Sequence, residues 1–274
     1  MKENMFKGVK GASPAVSAVI ITAIVVSLVL VAMTFANNFL ESRISESEFD
    51  SIKQFMQNTA VQIDDLAWIP GTIQTSRYSS KYGEMKFIPN ALNYTIYYRN
   101  ASGEYLLCYG VSGIIAFEMP VSKYSISDNY FKLVYPSNNS LVFEGAAAPI
   151  ARVYVIEKIS TGNYIRVILN PCIRLVESNF GQEKHYKLYL PILYSEESPK
   201  QHQTATFRST QLTVYRAGHN IGVTEIRIVV TPLIYDAEFF GFSPSEMNRT
   251  INIDDGSVVE AYISRVRVSI GLHT

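Results

Sequence analysis

From Ala15 to Ala36 the chain reads AVSAVIITAIVVSLVLVAMTFA, with no charge, no glycine and no internal proline. At 1.5 Å per residue such a run, coiled as a helix, is about 33 Å long. That is the thickness of a bilayer's hydrocarbon core, so the run predicts a transmembrane helix. The pattern then changes without breaking. Phe49, Ile52, Met56, Thr59, Ile63 and Leu66 recur at alternating spacings of three and four, with Gln, Asn, Glu, Asp and Lys on the other faces. This is an amphipathic helical stripe with one polar member. It packs either on the chain's own globular part or on a neighbouring helix, and it is too short to define a coiled coil. Trp68-Ile69-Pro70-Gly71 ends the pattern, because proline and glycine break helices. Ser13 is a suitable N-cap and Pro14 a suitable first helical residue.

From about Gln74 the period shifts from 3.6 to 2. RVYVIEK (152–158) and NYIRVIL (163–169) flank Ile159-Ser160-Thr161-Gly162 and predict a hairpin. NYTIYYR (93–99) and EYLLCYG (104–110) predict another, turning at Asn100-Ala101-Ser102-Gly103. HYKLYLPI, TEIRIVV and SRVRVSIGL are further strands, the second placing Ile226, Ile228 and Val230 on one face and the third placing Val266, Val268, Ile270 and Leu272 together. Asp254-Asp255-Gly256 reads as a turn between strands. SPKQHQTATFRS reads as a polar, exposed loop. The fold class expected is α+β: a long N-terminal transmembrane and amphipathic helix, then an all-β, antiparallel, sandwich-like extracellular domain. The boundaries are residues 1–11 for a leader, 12–69 for the membrane and stalk helix, and 70–274 for the β domain. No repeat at fixed period occurs, which argues against propellers and solenoids.

Composition sharpens this in three places. Lysine and arginine number 24, as do aspartate and glutamate, so the net charge is zero and a nucleic-acid partner is not expected. Tyrosine is abundant, with 18 copies, and suits half-covered sheet faces. Lys2, Lys7 and Lys10 precede the apolar run whereas Arg43 is the one basic residue soon after it, so the N-terminus is expected in the cytoplasm and the bulk outside. The two cysteines, Cys108 and Cys172, could pair in an oxidising compartment or stand as two separate buried thiols. Asn93, Asn100, Asn138 and Asn248 each begin an N-x-Ser/Thr sequon, several of them in predicted turns.

The start of the chain admits a plain signal anchor, a secretory signal peptide cut at its far end, or a third reading. The second is disfavoured because secretory apolar regions are shorter than this one. Lys10-Gly11 followed by Ala12-Ser13-Pro14-Ala15-Val16 resembles the class III signal peptide of archaeal type IV pilin-like proteins. The resemblance covers the first quarter of the chain. It implies cleavage between Gly11 and Ala12 by a prepilin peptidase-like enzyme, with the apolar segment retained. Val16 stands where bacterial pilins carry glutamate. Small residues at four-residue spacing, Ser13 and Ser17, Ala23 and Ser27, Ala32 and Ala36, would let such a helix approach another closely.

The chemistry of catalysis is not apparent. No Gly-rich phosphate loop or nucleophile elbow occurs. His185, His202, His219 and His273 are scattered, and Asp64-Asp65 reads as a solvated helix face, so no metal or cofactor is expected. Three functions therefore compete: a structural pilin-like subunit that contacts lipid and its own kind, a membrane-anchored binding protein with a β-sandwich head, and an ecto-enzyme for which no residues can be nominated.

Overall fold

A computed structural model describes residues 14–181, 183–196, 203–218 and 222–271. The chain divides into two compact units, Met1–Ile44 and Ser45–Thr274. One helix, α1 (Pro14–Ala67), supplies the described part of the first unit and the opening of the second. It is long and apolar enough near the N-terminus to cross a membrane. Among the described residues, twelve strands, a one-turn α-helix and a short 3-10 helix complete the second unit, so the α+β class holds, with one long helix and a large mostly-β head.

In the first unit every residue from Val16 to Ile44 is exposed. In the second, burial begins at Ser45 and then follows the amphipathic stripe: Phe49, Ile52, Met56, Thr59, Ile63 and Leu66 are all at most 1% exposed. They pack with Met85, Phe87, Ile115, Phe117, Val153, Val155, Val167, Phe207 and Val268 of the sheet. Of the two partners the stripe could have had, it takes its own domain. Each such aliphatic or aromatic side chain, once buried, contributes on the order of 1.5–3 kcal/mol. The helix stops at Ala67, and Gly71 takes φ 91°, a conformation that needs glycine.

The strands are β1 (Ile73–Arg77), β2 (Glu84–Asn100), β3 (Gly103–Pro120), β4 (Tyr130–Tyr135), β5 (Val142–Glu144), β6 (Ala151–Glu157), β7 (Tyr164–Pro171), β8 (Ile173–Phe180), β9 (Glu183–Tyr194), β10 (Thr204–Ala217), β11 (Val223–Pro232) and β12 (Asn248–Ile270). Helix α2 (Pro244–Met247) precedes the last strand. The order across the sheet is β4-β6-β7-β3-β2-β11-β12-β9-β8-β5, with β10 joining β1 to β12. Both expected hairpins form, β2 with β3 turning at Asn100–Gly103 and β6 with β7 around Ile159–Thr161.

Three expectations are corrected. The sheet is not wholly antiparallel: β12 runs parallel to β9 from Val258↔His185 to Arg267↔Tyr194, and β5 runs parallel to β8. The last strand enters between β9 and β10, and its direction there is set by β10 and β11, with which it is antiparallel. Asp254-Asp255-Gly256 is not a turn between strands. It lies inside β12, in the register shift between Asn252 and Ser257 of the pairing with β11, immediately before that strand takes up β9 at Val258. Gly256 at φ 82° supplies the local bend that this exchange of neighbours requires. The stretch read as an exposed loop is strand from Thr204 onward, with Ala205 and Phe207 fully buried; its earlier part, with His202, lies outside the described residues.

A second cluster gathers Tyr94, Ile96, Ile114, Ala116, Tyr154, Ile156, Leu188, Ile226, Ile228, Phe239, Phe240 and Ala261. The same strands feed both clusters by alternation: Val153 and Val155 join the helix, whereas Tyr154 and Ile156 join the second core. That is why β6 is buried at all seven positions, Arg152 and Glu157 included.

Candidate functional site

Two surfaces and one buried cluster carry the chemistry of the molecule. The first surface is the apolar part of α1. Ser17, Ala23, Ser27, Ala32 and Ala36 are exposed, whereas Ser13, Gly11 and Ala12 lie outside the described residues. Ala23 and Ser27 leave a shallow notch bounded by Ile20, Ile24, Leu28 and Val31. The hydroxyls here are satisfied within the helix: Thr22 donates to the Ala18 carbonyl at 2.9 Å, Ser27 to Ala23 at 2.8 Å and Thr34 to Leu30 at 2.9 Å. A segment whose polar atoms are used internally in this way can lie in hydrocarbon at little cost.

The second surface is a cleft of about 420 Å³ in the head, lined by Tyr78, Ser80, Lys81, Tyr82, Gly83, Glu84, Glu118 and Tyr164 among others. One wall is the loop from Ser80 to Gly83, wrapped around the Glu48 carboxylate. The backbone N–H groups of Lys81, Tyr82 and Gly83 donate to it at 2.9, 3.1 and 3.3 Å, and the Ser80 hydroxyl donates as well. The floor is an ion network. Arg166 donates to Glu118 at 2.6 Å, and Lys86 reaches Glu118 at 3.0 Å and also pairs with Glu84. Burial alone would raise the Glu118 carboxyl, but hydrogen bonds from Arg166 and Lys86 outweigh it and hold it below the usual glutamate value. Aromatic faces meet cations here: Lys81 and Lys123 lie 4.9 and 5.1 Å from the centre of the Tyr82 ring. The arrangement suits a polar ligand with apolar patches and holds no nucleophile paired to a base among the described residues.

The buried cluster surrounds Arg152, which is fully buried on β6. Its Nη2 donates to the Phe240 carbonyl at 2.6 Å, whereas Nε and Nη1 meet no acceptor among the described residues. The guanidinium lies 5.3 Å from the Tyr154 ring centre and 4.7 Å from that of Phe242. Each desolvated cation–π contact offsets about 2 kcal/mol, less than the several kcal/mol that burying an ion costs. Directly opposite on β7 is Asn170, whose Nδ2 donates to the Pro171 carbonyl at 3.0 Å while its Oδ1 is buried without a described partner. Tyr94 donates to the same carbonyl at 2.7 Å. The Tyr154 hydroxyl is also buried and unpartnered among the described residues.

The other predicted residues are spread out. Cys108 and Cys172 are free thiols, each buried, which is the second of the two alternatives; burial pushes both thiols up to about 12. Asn100 is in its turn, with Oδ1 accepting from Ser102 and Gly103, and Asn138 and Asn248 are exposed. Asn93 is in no turn: it sits inside β2, paired to Thr231 and Val111, with its Oδ1 buried. A glycan there would displace the sheet. Asp65 is exposed as expected, but Asp64 is tied to Arg174 and accepts from the Trp68 indole at 3.0 Å, so it is an anchor of the helix end. His185 is buried in β9, and the other histidines lie outside the described residues. Among the described residues no cluster of three or more His, Cys, Asp or Glu could hold a metal ion.

Arg152 and Glu48 were missed by sequence reasoning. The one available signal was Arg152 sharing a strand face with Tyr154 and Ile156, since alternate residues share a face. For Glu48 there was none, because its partners are more than thirty positions away. No protein-family profile, curated protein or solved structure matches this chain.

Proposed function

We propose that the chain is a structural cell-surface protein, a pilin-like subunit of a type IV pilus-like filament or a minor component of one. The observation that carries this is the wholly exposed helical stretch from Val16 to Ile44, apolar as far as Ala36, on a chain whose remaining residues of the same helix are committed to a β-rich head. Lys10-Gly11 supports it through the signal-peptide resemblance. In this reading a prepilin peptidase-like enzyme cuts between Gly11 and Ala12, the N-terminus faces the cytoplasm and the head, sandwich-like, stands outside. The retained helix is first an anchor in lipid and then packs against helices of other subunits through Ala23, Ser27, Ala32 and Ala36. The reading assigns the chain no catalytic activity and no cofactor.

Mass spectrometry of the native N-terminus tests it. A mature chain beginning at Ala12 is expected. One beginning at Met1, or cut after the apolar run, overturns it. The cleft beside Tyr82 favours a second reading, a membrane-anchored binding protein, which predicts the same anchor but no self-association.

A further inference from the structure

We propose that the interior of the head binds a monovalent anion of halide size, held by Arg152. A guanidinium is permanently charged in proteins, so Arg152 cannot relieve its burial by losing a proton. Its Nε and Nη1 have no hydrogen-bond partner among the described residues, and its Nη2 donates to a neutral carbonyl, that of Phe240. The groups that meet or face it carry no negative charge. Tyr154 is its neighbour on β6, Asn170 faces it from β7, Tyr94 approaches from β2, Cys172 follows β7, and Phe240 and Phe242 close over it from the loop after β11. Asn170 is neutral. Burial holds the Tyr94 and Tyr154 phenols and the Cys172 thiol protonated. The Tyr154 hydroxyl therefore remains a donor with nothing to donate to, alongside the unmatched donors of Arg152.

A cluster of unmet N–H and O–H donors around an unneutralised cation is an anion site by its chemistry. The close rings of Tyr154 and Phe242 argue for a single-atom anion over a phosphate or carboxylate, whose extra oxygens would need room and partners of their own. The loop that closes the site is secured at its surface by Lys158, which pairs with Asp236 at 3.3 Å and Glu238 at 2.8 Å, and by Asn139, which donates to the Gly241 carbonyl at 2.8 Å. The anion thereby serves the fold itself, coupling β6 and β7 to the aromatic loop.

The test uses the full chain in detergent, unfolded thermally at fixed ionic strength while sodium gluconate is replaced by sodium bromide. Gluconate is too large to enter. A ligand bound only by the native state raises Tm along a saturating, mass-action curve, whereas a general salt effect gives a featureless slope. The expected result is saturation in the wild type and none in Arg152→Met, which keeps the length and loses the charge. A wild-type Tm indifferent to bromide overturns the proposal, as does saturation that survives in Arg152→Met. Tyr154→Phe, which keeps the ring, provides a second arm should the methionine variant fail to fold. Loss of one hydrogen bond is expected to raise the bromide midpoint about threefold to tenfold. An unchanged midpoint removes the Tyr154 hydroxyl from the site and overturns the proposal in this form.

Discussion

The two stretches of α1, before and after Ser45, use the same secondary structure for opposite ends. Val16 to Ile44 is largely apolar and exposed on all sides. From Phe49 to Leu66 the stripe residues occupy one face, and every one of them is covered by the sheet. A helix with one apolar face carries its own instruction for folding. A helix apolar all round requires its surroundings to be apolar, whether lipid or other helices. The difference says which residues should matter to the head and which to its neighbours.

The largest expected contrast is in stability. Phe49→Ala, fully buried, should cost the head about 3–5 kcal/mol, whereas Val26→Ala, exposed, should fall within about 0.5 kcal/mol. Urea unfolding followed by near-ultraviolet circular dichroism of the full chain in detergent measures both. Equal effects would erase the distinction between the two stretches. Of similar size is Glu118→Gln, which strands the buried Arg166 charge and should cost about 3–5 kcal/mol.

That network also predicts a pH dependence. The folded Glu118 carboxyl is held below its ordinary value, so its contribution is complete above the unfolded glutamate range, near pH 4.3, and is lost as pH falls through the lower folded value. In Glu118→Gln the loss of Tm below about pH 4.3 should be shallower. An identical acid limb in both proteins would contradict this.

Ala23→Leu and Ala32→Leu replace small residues of the exposed stretch, the first filling the notch. They should leave urea unfolding unchanged and lower helix-mediated association in detergent by about fivefold or more, read by sedimentation or crosslinking. Unchanged association would assign the stretch to lipid alone. The smallest expected effect has the opposite sign. Thr59 is the polar member of the stripe and its hydroxyl is buried without a described partner, so Thr59→Val should stabilise the head by about 1 kcal/mol. A destabilised variant would mean that the hydroxyl has a partner.

Local pattern carried much of the fold. The apolar run, the stripe and the Pro-Gly stop placed α1 to within a few residues, and both hairpins were legible because their partners are close in sequence. Parallel pairing of β9 with β12 was not, since a period of two is the same in either direction and the partners are about seventy positions apart. Asp254-Asp255-Gly256 reads identically as a turn or as the kink in a long strand, and only the exchange of β11 for β9 and β10 decides between them. Asn93 carries a sequon whose motif contains nothing about the strands on either side of it.

The helix, its apolar and amphipathic stretches and the β-rich character of the head were determined by the sequence alone. These depend on interactions between residues a few positions apart and on the periodicity of the backbone. The tertiary structure decided which side covers the stripe, the direction of β12, and the placement of a permanent cation at Arg152 beside two neutral tyrosines. Those facts depend on contacts between distant segments, and the free energy of a buried charge is set by what lies around it in space and not by its neighbours along the chain.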